Sequence, residues 1–418
     1  MCKTTTPPHA AGKEAIRKLP PNTSAGAVIP LQSYLQKYVT QFTSELVPAT
    51  RPTLPADVDP DAYKRVAFSV WPLLANAVSP YYAGIFDDDT DFSASLVKVA
   101  ALFAAGQLLA AAKAALPAAA NAASFSTNFN AAIQTEITAN ADNGVKNAHY
   151  PPGGLPVGLL PKTSSILQAT GFGTGAGPSV TFTSSFSTNL SLMIVQSNDP
   201  AAGVCINRLG YGYISAVLNE KSFFDRTLTP GPAKAGATGR GIWLTANYDG
   251  NFLVRIPCVN DHDDSQLTSA RQMCRLFSMI RLKQLPETDL DTNSLMQGLL
   301  GQAGTWLVMN QHIDGVKDVG VAPLFSKVRA KVGVAGLGTI QAPNVYSEGL
   351  IIKWNDASQV NAFNSKIDPG NANPSSRLSG EIAVCWQNLL AEILPTGFDG
   401  IVEVLNNSIS DFLDQKAL

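Results

Sequence analysis

Two clusters of acidic residues are the densest groups of potential metal ligands in the 418-residue chain. The first runs from Asp87 to Asp91 and lacks the glycine turn and the terminal glutamate of a calcium loop. The second is Asp261-His262-Asp263-Asp264, and no other histidine has the spacing of a second metal ligand. Because acidic side chains interact favourably with a helix N-terminus, both clusters are interpreted as helix starts, with ion binding as the alternative. The sequence therefore predicts no metal site and no cofactor.

Two glycine-rich stretches lack the residues that nucleotide binding requires. In Gly171–Gly177, Ala176 occupies the position of the third glycine of a dinucleotide-binding motif. Gly231–Gly236 has the glycine spacing of a phosphate loop, but Ala237 and Thr238 stand where Lys and Ser/Thr are needed. No serine lies in a nucleophile-elbow motif, and nothing in the positions of the four histidines points to a Ser/His/Asp triad. Because none of these motifs is complete, the sequence predicts that the chain is not an enzyme.

Two groups of basic residues could face the phosphates of RNA. The first belongs to residues 1–28, which are rich in Thr, Pro, Ala and Gly and are predicted to form a flexible N-terminal arm. Its members are Lys3, Lys13, Arg17 and Lys18. The second is Arg271 and Arg275, one turn apart on a predicted helix. For this pair, the alternatives are a solvated helix face or pairing with the acids of the 261–264 cluster.

The bulk composition favours a protein that buries surface against partners. Charged residues make up 15% of the chain, against roughly 25% in typical soluble domains, and interface cores are depleted of charge. A large monomer with a Ser/Thr/Asn/Gly surface is the alternative. Five cysteines without tight spacing argue against disulfides and indicate a reducing compartment. The longest apolar run, Val99–Ala112, is too short for a membrane span, so no membrane partner is expected.

The hydrophobic spacing predicts an α+β, mainly α fold. Helices are predicted at Leu31–Leu46, Asp61–Ser79, Phe92–Ala115, 265–283, 292–310, 380–394 and 400–416. Strands are predicted at Val180–Thr183, Leu190–Val195, Gly241–Tyr248, Phe252–Ile256 and Leu350–Trp354, with a hairpin turn at Asp249–Gly250. Residues 150–262 are therefore predicted to be a loop- and strand-rich insertion between two helical segments, 29–149 and 263–418. Within the aromatic stretch Phe68–Phe86, the predicted subunit-interface residues are Trp71, Tyr81 and Tyr82.

Several of these features together resemble the coat proteins of partitiviruses, which are bisegmented double-stranded RNA viruses, and in particular the plant cryptic viruses. The resemblance is carried by the short Pro/Thr arm, the block at residues 51–86, the Ala-rich helix that follows it and the β-containing middle. It covers most of the chain, although none of it is a strict motif.

The resemblance implies a helical shell domain (29–149 and 263–418) with a protruding arch (150–262). It implies a viral capsid protein that self-assembles through homodimers into an icosahedral shell. Genomic double-stranded RNA and the viral polymerase would lie inside, and the location would be the virion and the host cytoplasm. The alternatives are another self-assembling structural protein, of nucleocapsid or surface-layer type, and a soluble enzyme with an unrecognised site.

Overall fold

A computed structural model describes most of the chain, in several stretches separated by gaps. The described residues are 28–45, 66–75, 81–88, 91–141, 158–175, 177–223, 241–244, 266–283, 290–304, 323–336, 344–370, 373–390 and 396–418.

Helices and strands follow one another along these stretches without a regular alternation. The helices are α1 (Leu31–Glu45), α2 (Lys98–Ala115), α3 (Ala122–Asn140), α4 (Thr163–Ile166), α5 (Ser184–Val195), α6 (Asp199–Leu209), α7 (Tyr211–Glu220), α8 (Ala270–Arg281), α9 (Leu290–Gln302), α10 (Ala357–Ile367) and α11 (Thr396–Asp414). The strands are β1 (Ala67–Leu74), β2 (Ala83–Ile85), β3 (Asp91–Phe92), β4 (Leu167–Thr170), β5 (Ser179–Phe182), β6 (Trp243–Leu244), β7 (Gln266–Thr268), β8 (Phe325–Gly336), β9 (Asn344–Trp354) and β10 (Leu378–Leu390). Short 3₁₀ turns cover Ala94–Val97, Leu116–Ala118 and Pro374–Ser376.

A five-stranded antiparallel sheet is the centre of the fold. Its strand order is β2-β1-β10-β9-β8, so strands from both ends of the chain lie side by side. Apolar residues cover both of its faces. On one face, α1, α10 and α11 bury a core around Trp354 and Trp386, and on the other the remaining helices bury a larger core around Phe103 and Phe277. The described part of the chain therefore forms three layers, helices on both sides of a sheet.

The predicted helix at Asp61–Ser79 is wrong, because the described part of this segment forms β1. Every residue of β1 is buried, so no polar face produces the two-residue alternation of a half-exposed strand. Phe68, Val70 and Trp71 are residue types that favour strands. Pro72 is accommodated beside an irregularity in the pairing of β1 with β10, which lies between Pro72 and Leu74.

The predicted helix at 380–394 is wrong for the same reason. Residues 378–390 form β10, in which successive side chains enter opposite cores. Val384 and Trp386 face the core of α1 and α11, whereas Ala383 and Cys385 face the larger core. A strand buried on both faces is apolar at nearly every position, and a helical spacing can therefore be found in it by chance.

The predicted fold class, with a β-containing insertion on a helical shell, is also wrong. The long strands come from the ends of the chain, and the middle contains α5, α6 and α7, with α5 covering the segment Leu190–Val195 that was predicted as a strand. The short hairpin of β4 and β5 and the strand pairs of β3, β7 and β6 are the described β structure nearby. The second half of the predicted strand at Gly241–Tyr248, and all of Phe252–Ile256, lie outside the described residues.

The Ala-rich helix α2 runs through the middle of the larger core. With its preceding and following turns, Ala94–Ala118, it is long and apolar enough to cross a membrane by composition, yet 78% of its most apolar window is buried inside the protein. Small side chains allow neighbouring helices to approach it closely. At Gly106, for example, a Cβ would lie 2.7 Å from the Met296 sulfur of α9. A buried core helix explains both its composition and its position.

Candidate functional site

A serine and a lysine lie one turn apart at the start of the central helix. Ser95 is in the 3₁₀ turn Ala94–Val97, and Lys98 is the first residue of α2. Side chains three residues apart eclipse one another in a 3₁₀ turn, so Ser95 and Lys98 share a face. Ser95 is partly exposed, whereas the Lys98 side chain is fully buried. Ala94, immediately before the serine, has a φ of 47°, a strained conformation for a residue with a Cβ.

A second serine connects this lysine to the middle of the chain. The Lys98 Nζ donates to the Ser197 carbonyl oxygen at 2.6 Å and lies 3.5 Å from the Ser197 Oγ. It also donates to the Asp199 Oδ1 at 2.5 Å. Ser197 stands between α5 and α6 with a φ of 56°, and the side chain of Asn198 caps α6 by accepting from the Ala201 N–H. The bend between the two helices therefore directs Ser197 at Lys98.

A second lysine reaches the same serine from the central sheet. The Lys331 Nζ, on β8, donates to the Ser197 Oγ at 2.7 Å and to the Val332 carbonyl oxygen at 2.7 Å. Lys331 is only 1% exposed. The Ser197 hydroxyl thus lies between two buried amino groups, one from a helix and one from a strand.

Close approach of strand β8 to the serine turn depends on Gly333. A Cβ at this position would overlap the Ser93 carbonyl oxygen and would lie 2.7 Å from the Leu96 N and 3.1 Å from the Ser95 N. The backbone of β8 therefore lies directly against the first turn that carries Ser95. The N–H groups of a first helical turn have no intrahelical acceptor, so the Ser95 N–H can bind an oxygen that arrives at this junction.

Burial shifts the proton equilibrium of both lysines toward the neutral form. Burial lowers the pKa of Lys98 from its ordinary value, and the hydrogen bond to Asp199 opposes part of this shift. Burial, reinforced by the neighbouring Lys98 charge, holds the pKa of Lys331 well below its ordinary value. Desolvation disfavours the charged form of a lysine, and a lysine that loses its proton more easily can act as a general base.

This arrangement can activate a hydroxyl and deliver a proton. Lys98 can take the proton of Ser95, whose Oγ then becomes a nucleophile. Ser197 can pass a proton between the lysines and a leaving atom, since its hydroxyl both accepts and donates. The Ser95 N–H can stabilise the negative oxygen that forms on an attacked carbonyl. The site therefore has the parts required for acyl transfer to a serine.

The reaction of Ser95 is expected to depend on pH through Lys98. The active form has a neutral Lys98, so the rate rises as pH increases through the pKa of this residue, which burial lowers. Asp199 stabilises the charged form, so Asp199→Asn should lower this pKa and move the rising limb to lower pH. Rates of serine modification measured across pH for both proteins test this expectation. A limb that stays in place or moves to higher pH would contradict the assignment of Lys98 as the base.

The arginines predicted to face RNA contact other parts of the same chain; the Arg271 side chain is 30% exposed, and Arg275 is buried. Arg271 forms ion pairs with Asp87 and Asp88, each at 2.8 Å, and its Nε donates to the Tyr82 hydroxyl at 2.9 Å. Arg275 is 5% exposed, and its guanidinium donates to the carbonyl oxygens of residues 221 and 222 at the end of α7. Through these ion pairs and hydrogen bonds, both arginines connect α8 to neighbouring segments of the chain.

The aromatic residues predicted at a subunit interface pack against other parts of the same chain. Trp71 is 6% exposed and forms an edge-on contact with Tyr82, with ring centroids 5.0 Å apart. Tyr81 contacts Phe363 and Phe412, with both centroid distances at 5.5 Å. Trp71 and Tyr82 pack in or against the larger core, and Tyr81 packs against the core of α1, α10 and α11.

The other predicted sites lie largely outside the described residues. These are the arm residues Lys3, Lys13, Arg17 and Lys18 and the acidic cluster 261–264. In the Asp87–Asp91 cluster, Asp87 and Asp88 bind Arg271, as described above, rather than starting a helix. Among the residues that the structure describes, no group of three or more His, Cys, Asp or Glu side chains could hold a metal ion.

Sequence reasoning missed all the members of this site. Its one local signal was the Ser-x-x-Lys spacing of Ser95 and Lys98, followed much later by Ser197 and by the Lys331-Val332-Gly333 run. Each of these patterns is short and common by itself. Only the fold brings the three patterns together, since each lies roughly a hundred residues or more from the next along the chain.

Comparisons with known proteins give matches in structure only. No family model matches the sequence, and no curated protein matches it. The chain is similar to a class A β-lactamase from Mycobacterium abscessus, with 12% identity, a TM-score of 0.41 and coverage of 91% of this chain and 99% of that one. It is similar to a β-lactamase from Chitinophaga pinensis, with 8% identity, a TM-score of 0.42 and coverage of 90% and 98%. It is also similar to PBP-A in an acyl-enzyme complex with penicillin G, with 12% identity, a TM-score of 0.42 and coverage of 94% and 100%.

These findings contradict the predicted coat-protein function and the prediction that the chain is not an enzyme. The matching structures carry the names of β-lactamases and of a protein acylated by penicillin. At TM-scores below 0.5 this likeness carries no argument about activity, and the hydrogen bonds that join Lys98, Ser197 and Lys331 are observed independently of it. The enzyme alternative is better supported than a viral capsid. The resemblance to partitiviruses and the expected partners and location stay predictions.

Proposed function

We propose that this chain is a serine acyltransferase or hydrolase that forms an ester with its substrate through Ser95. The observation that carries the proposal is the Ser197 hydroxyl between the amino groups of Lys98 and Lys331. Lys98 follows Ser95 by three residues, which is about one helical turn. The order Ser-x-x-Lys, Ser and Lys-x-Gly along the chain also follows the signature S-x-x-K, S-D-N and K-T-G of class A β-lactamases and penicillin-binding proteins.

Three positions depart from that signature. Asn198 and Asp199 stand in the order opposite to the Asp-Asn of the signature, and Val332 replaces its threonine. The residues that perform proton transfer in the proposed reaction are all present, so these differences concern substrate recognition more than the reactive group. A β-lactam is therefore a suitable first substrate, because its strained amide reacts with any well-activated serine.

The proposed reaction balances as a transfer of one acyl group. The Ser95 Oγ forms a bond to the carbonyl carbon, and its proton passes to Lys98. The C–N bond of the lactam breaks, and its nitrogen takes a proton delivered through Ser197. The negative oxygen of the intermediate is stabilised by the Ser95 N–H at the junction with β8. In hydrolysis, water then cleaves the Ser95 ester.

Intact-protein mass spectrometry after incubation with penicillin G tests this proposal. The wild-type protein should gain the mass of one whole penicillin molecule, since ring opening expels no leaving group, and peptide mapping should locate the adduct on Ser95. Ser95→Ala should abolish the adduct. Ser93→Ala is the matched control and should still be labelled, because this neighbouring serine is buried and its Oγ has no hydrogen-bond partner among the described residues. A wild-type protein that neither gains the adduct nor hydrolyses penicillin G, or equal labelling of Ser95→Ala, would refute the proposal.

A further inference from the structure

We infer that Ser197 and Lys331 form a second serine–lysine pair, which takes short acyl groups from activated esters independently of Ser95. The Lys331 Nζ donates to the Ser197 Oγ at 2.7 Å. This distance is shorter than the 3.5 Å between the same Oγ and the Lys98 Nζ. Ser197 is therefore paired most closely with the lysine that does not serve as the base of Ser95.

The surroundings of Lys331 suit a group that accepts a proton. Lys331 is 1% exposed, and burial holds its pKa well below its ordinary value. Its Nζ also donates to the Val332 carbonyl oxygen at 2.7 Å, which fixes the direction of one N–H. When Lys331 loses a proton, its lone pair can accept from the Ser197 O–H, and the hydrogen bond between the two groups reverses. The Ser197 Oγ then becomes a nucleophile with its base already in contact.

The backbone presents the Ser197 hydroxyl at the bend between α5 and α6. Ser197 has a φ of 56°, a conformation that residues with a Cβ seldom adopt. Strained backbone of this kind is concentrated at functional sites. Ser197 is partly exposed, and the nearby residues Gln196 and Pro200 are exposed, so a reagent can approach the hydroxyl from this bend.

The reaction of Ser197 balances as the transfer of one short acyl group. Because the hydroxyl lies between two amino groups and the residue is only partly exposed, we expect a group as small as acetyl. The Ser197 Oγ forms a bond to the carbonyl carbon of the ester, and its proton passes to Lys331. The bond from this carbon to the leaving oxygen breaks, and the leaving group departs as an anion. Water then cleaves the Ser197 ester in a separate step.

The reaction of p-nitrophenyl acetate with Ser95→Ala tests the inference, because this variant lacks the nucleophile of the proposed function. A burst of p-nitrophenolate should match the protein concentration, and peptide mapping should place an acetyl group on Ser197. The double variant Ser95→Ala, Ser197→Gly should lose both signals, and glycine adopts the φ of 56° without strain. The double variant Ser95→Ala, Lys331→Met should acetylate about a hundredfold more slowly or less, with a thermal unfolding curve to verify that it is folded.

Ser185 is the matched control within the same peptide map, and it should carry no acetyl group. It is exposed, and its Oγ accepts at 3.3 Å from the guanidinium of Arg208, which keeps its proton and cannot act as a base. An unmodified Ser197, or equal acetylation of Ser185 and Ser197, would overturn the inference and leave the acylation of Ser95 by penicillin G intact. An acetylated Ser197 in a protein that neither binds nor hydrolyses penicillin G would support the inference and contradict the proposed function.

Discussion

Lys98→Met is expected to slow the acylation of Ser95 by about a thousandfold. General bases contribute roughly 10²–10⁴-fold to reactions of this kind, and the Lys98 amine is the base that lies one turn from the serine. Methionine has a similar length and fills the same buried volume without the amino group. Stopped-flow or quenched mass-spectrometric measurement of adduct formation with penicillin G gives the rate for each protein.

The control for this variant is Lys113→Met, which changes a lysine near the opposite end of the same helix. It should acylate at the wild-type rate. A thermal unfolding curve separates a catalytic loss from a structural one, since a folded Lys98→Met protein with a slow reaction supports the assignment. A folded variant that reacts at the wild-type rate would rule out Lys98 as the base.

Gly333→Ala is expected to reduce acylation by at least about a hundredfold and to destabilise the protein. The added methyl group would overlap the Ser93 carbonyl oxygen and crowd the Ser95 and Leu96 backbone nitrogens. Relief of this overlap requires the serine turn and β8 to move apart, and a displacement of about 1 Å in a catalytic group can cost about a hundredfold in rate. Overpacking of a buried contact also costs about 1–3 kcal/mol of stability.

Gly370→Ala is the matched substitution, because a Cβ there meets no atom within 4 Å. It should change neither the acylation rate nor the melting temperature appreciably. If Gly333→Ala acylates like Gly370→Ala, then the contact between β8 and the serine turn has no part in the reaction.

Sequence reasoning succeeded where a segment has one buried face. The predicted helices near Leu31–Leu46 and 400–416 correspond to α1 and α11, whose less buried residues recur every three or four positions. Their apolar residues therefore recur at the helical period. The strand predicted at Leu350–Trp354 is likewise part of β9.

Prediction failed where both faces of a segment are buried, or where function depends on distant residues. In β1 and in the middle of β10, residues 382–386, apolar side chains occupy both faces, so the periodicity that distinguishes strands from helices is lost. Prediction of the candidate site failed for a different reason. Ser95, Ser197 and Lys331 become neighbours only when α2, the α5–α6 bend and β8 are assembled, and a single sequence contains no record of that proximity.

The pairing of β1 with β10 has a consequence for synthesis on the ribosome. The Ser379 hydroxyl of β10 donates to the Leu73 carbonyl oxygen of β1, across 306 residues of chain. The mostly apolar β1 is synthesised about 300 residues before β10 and cannot complete its pairing in the sheet until that strand is made. Long-range pairing of this kind slows folding, and an unpaired apolar strand promotes aggregation in the meantime. The nascent chain is therefore expected to need chaperone protection until β10 has left the ribosome.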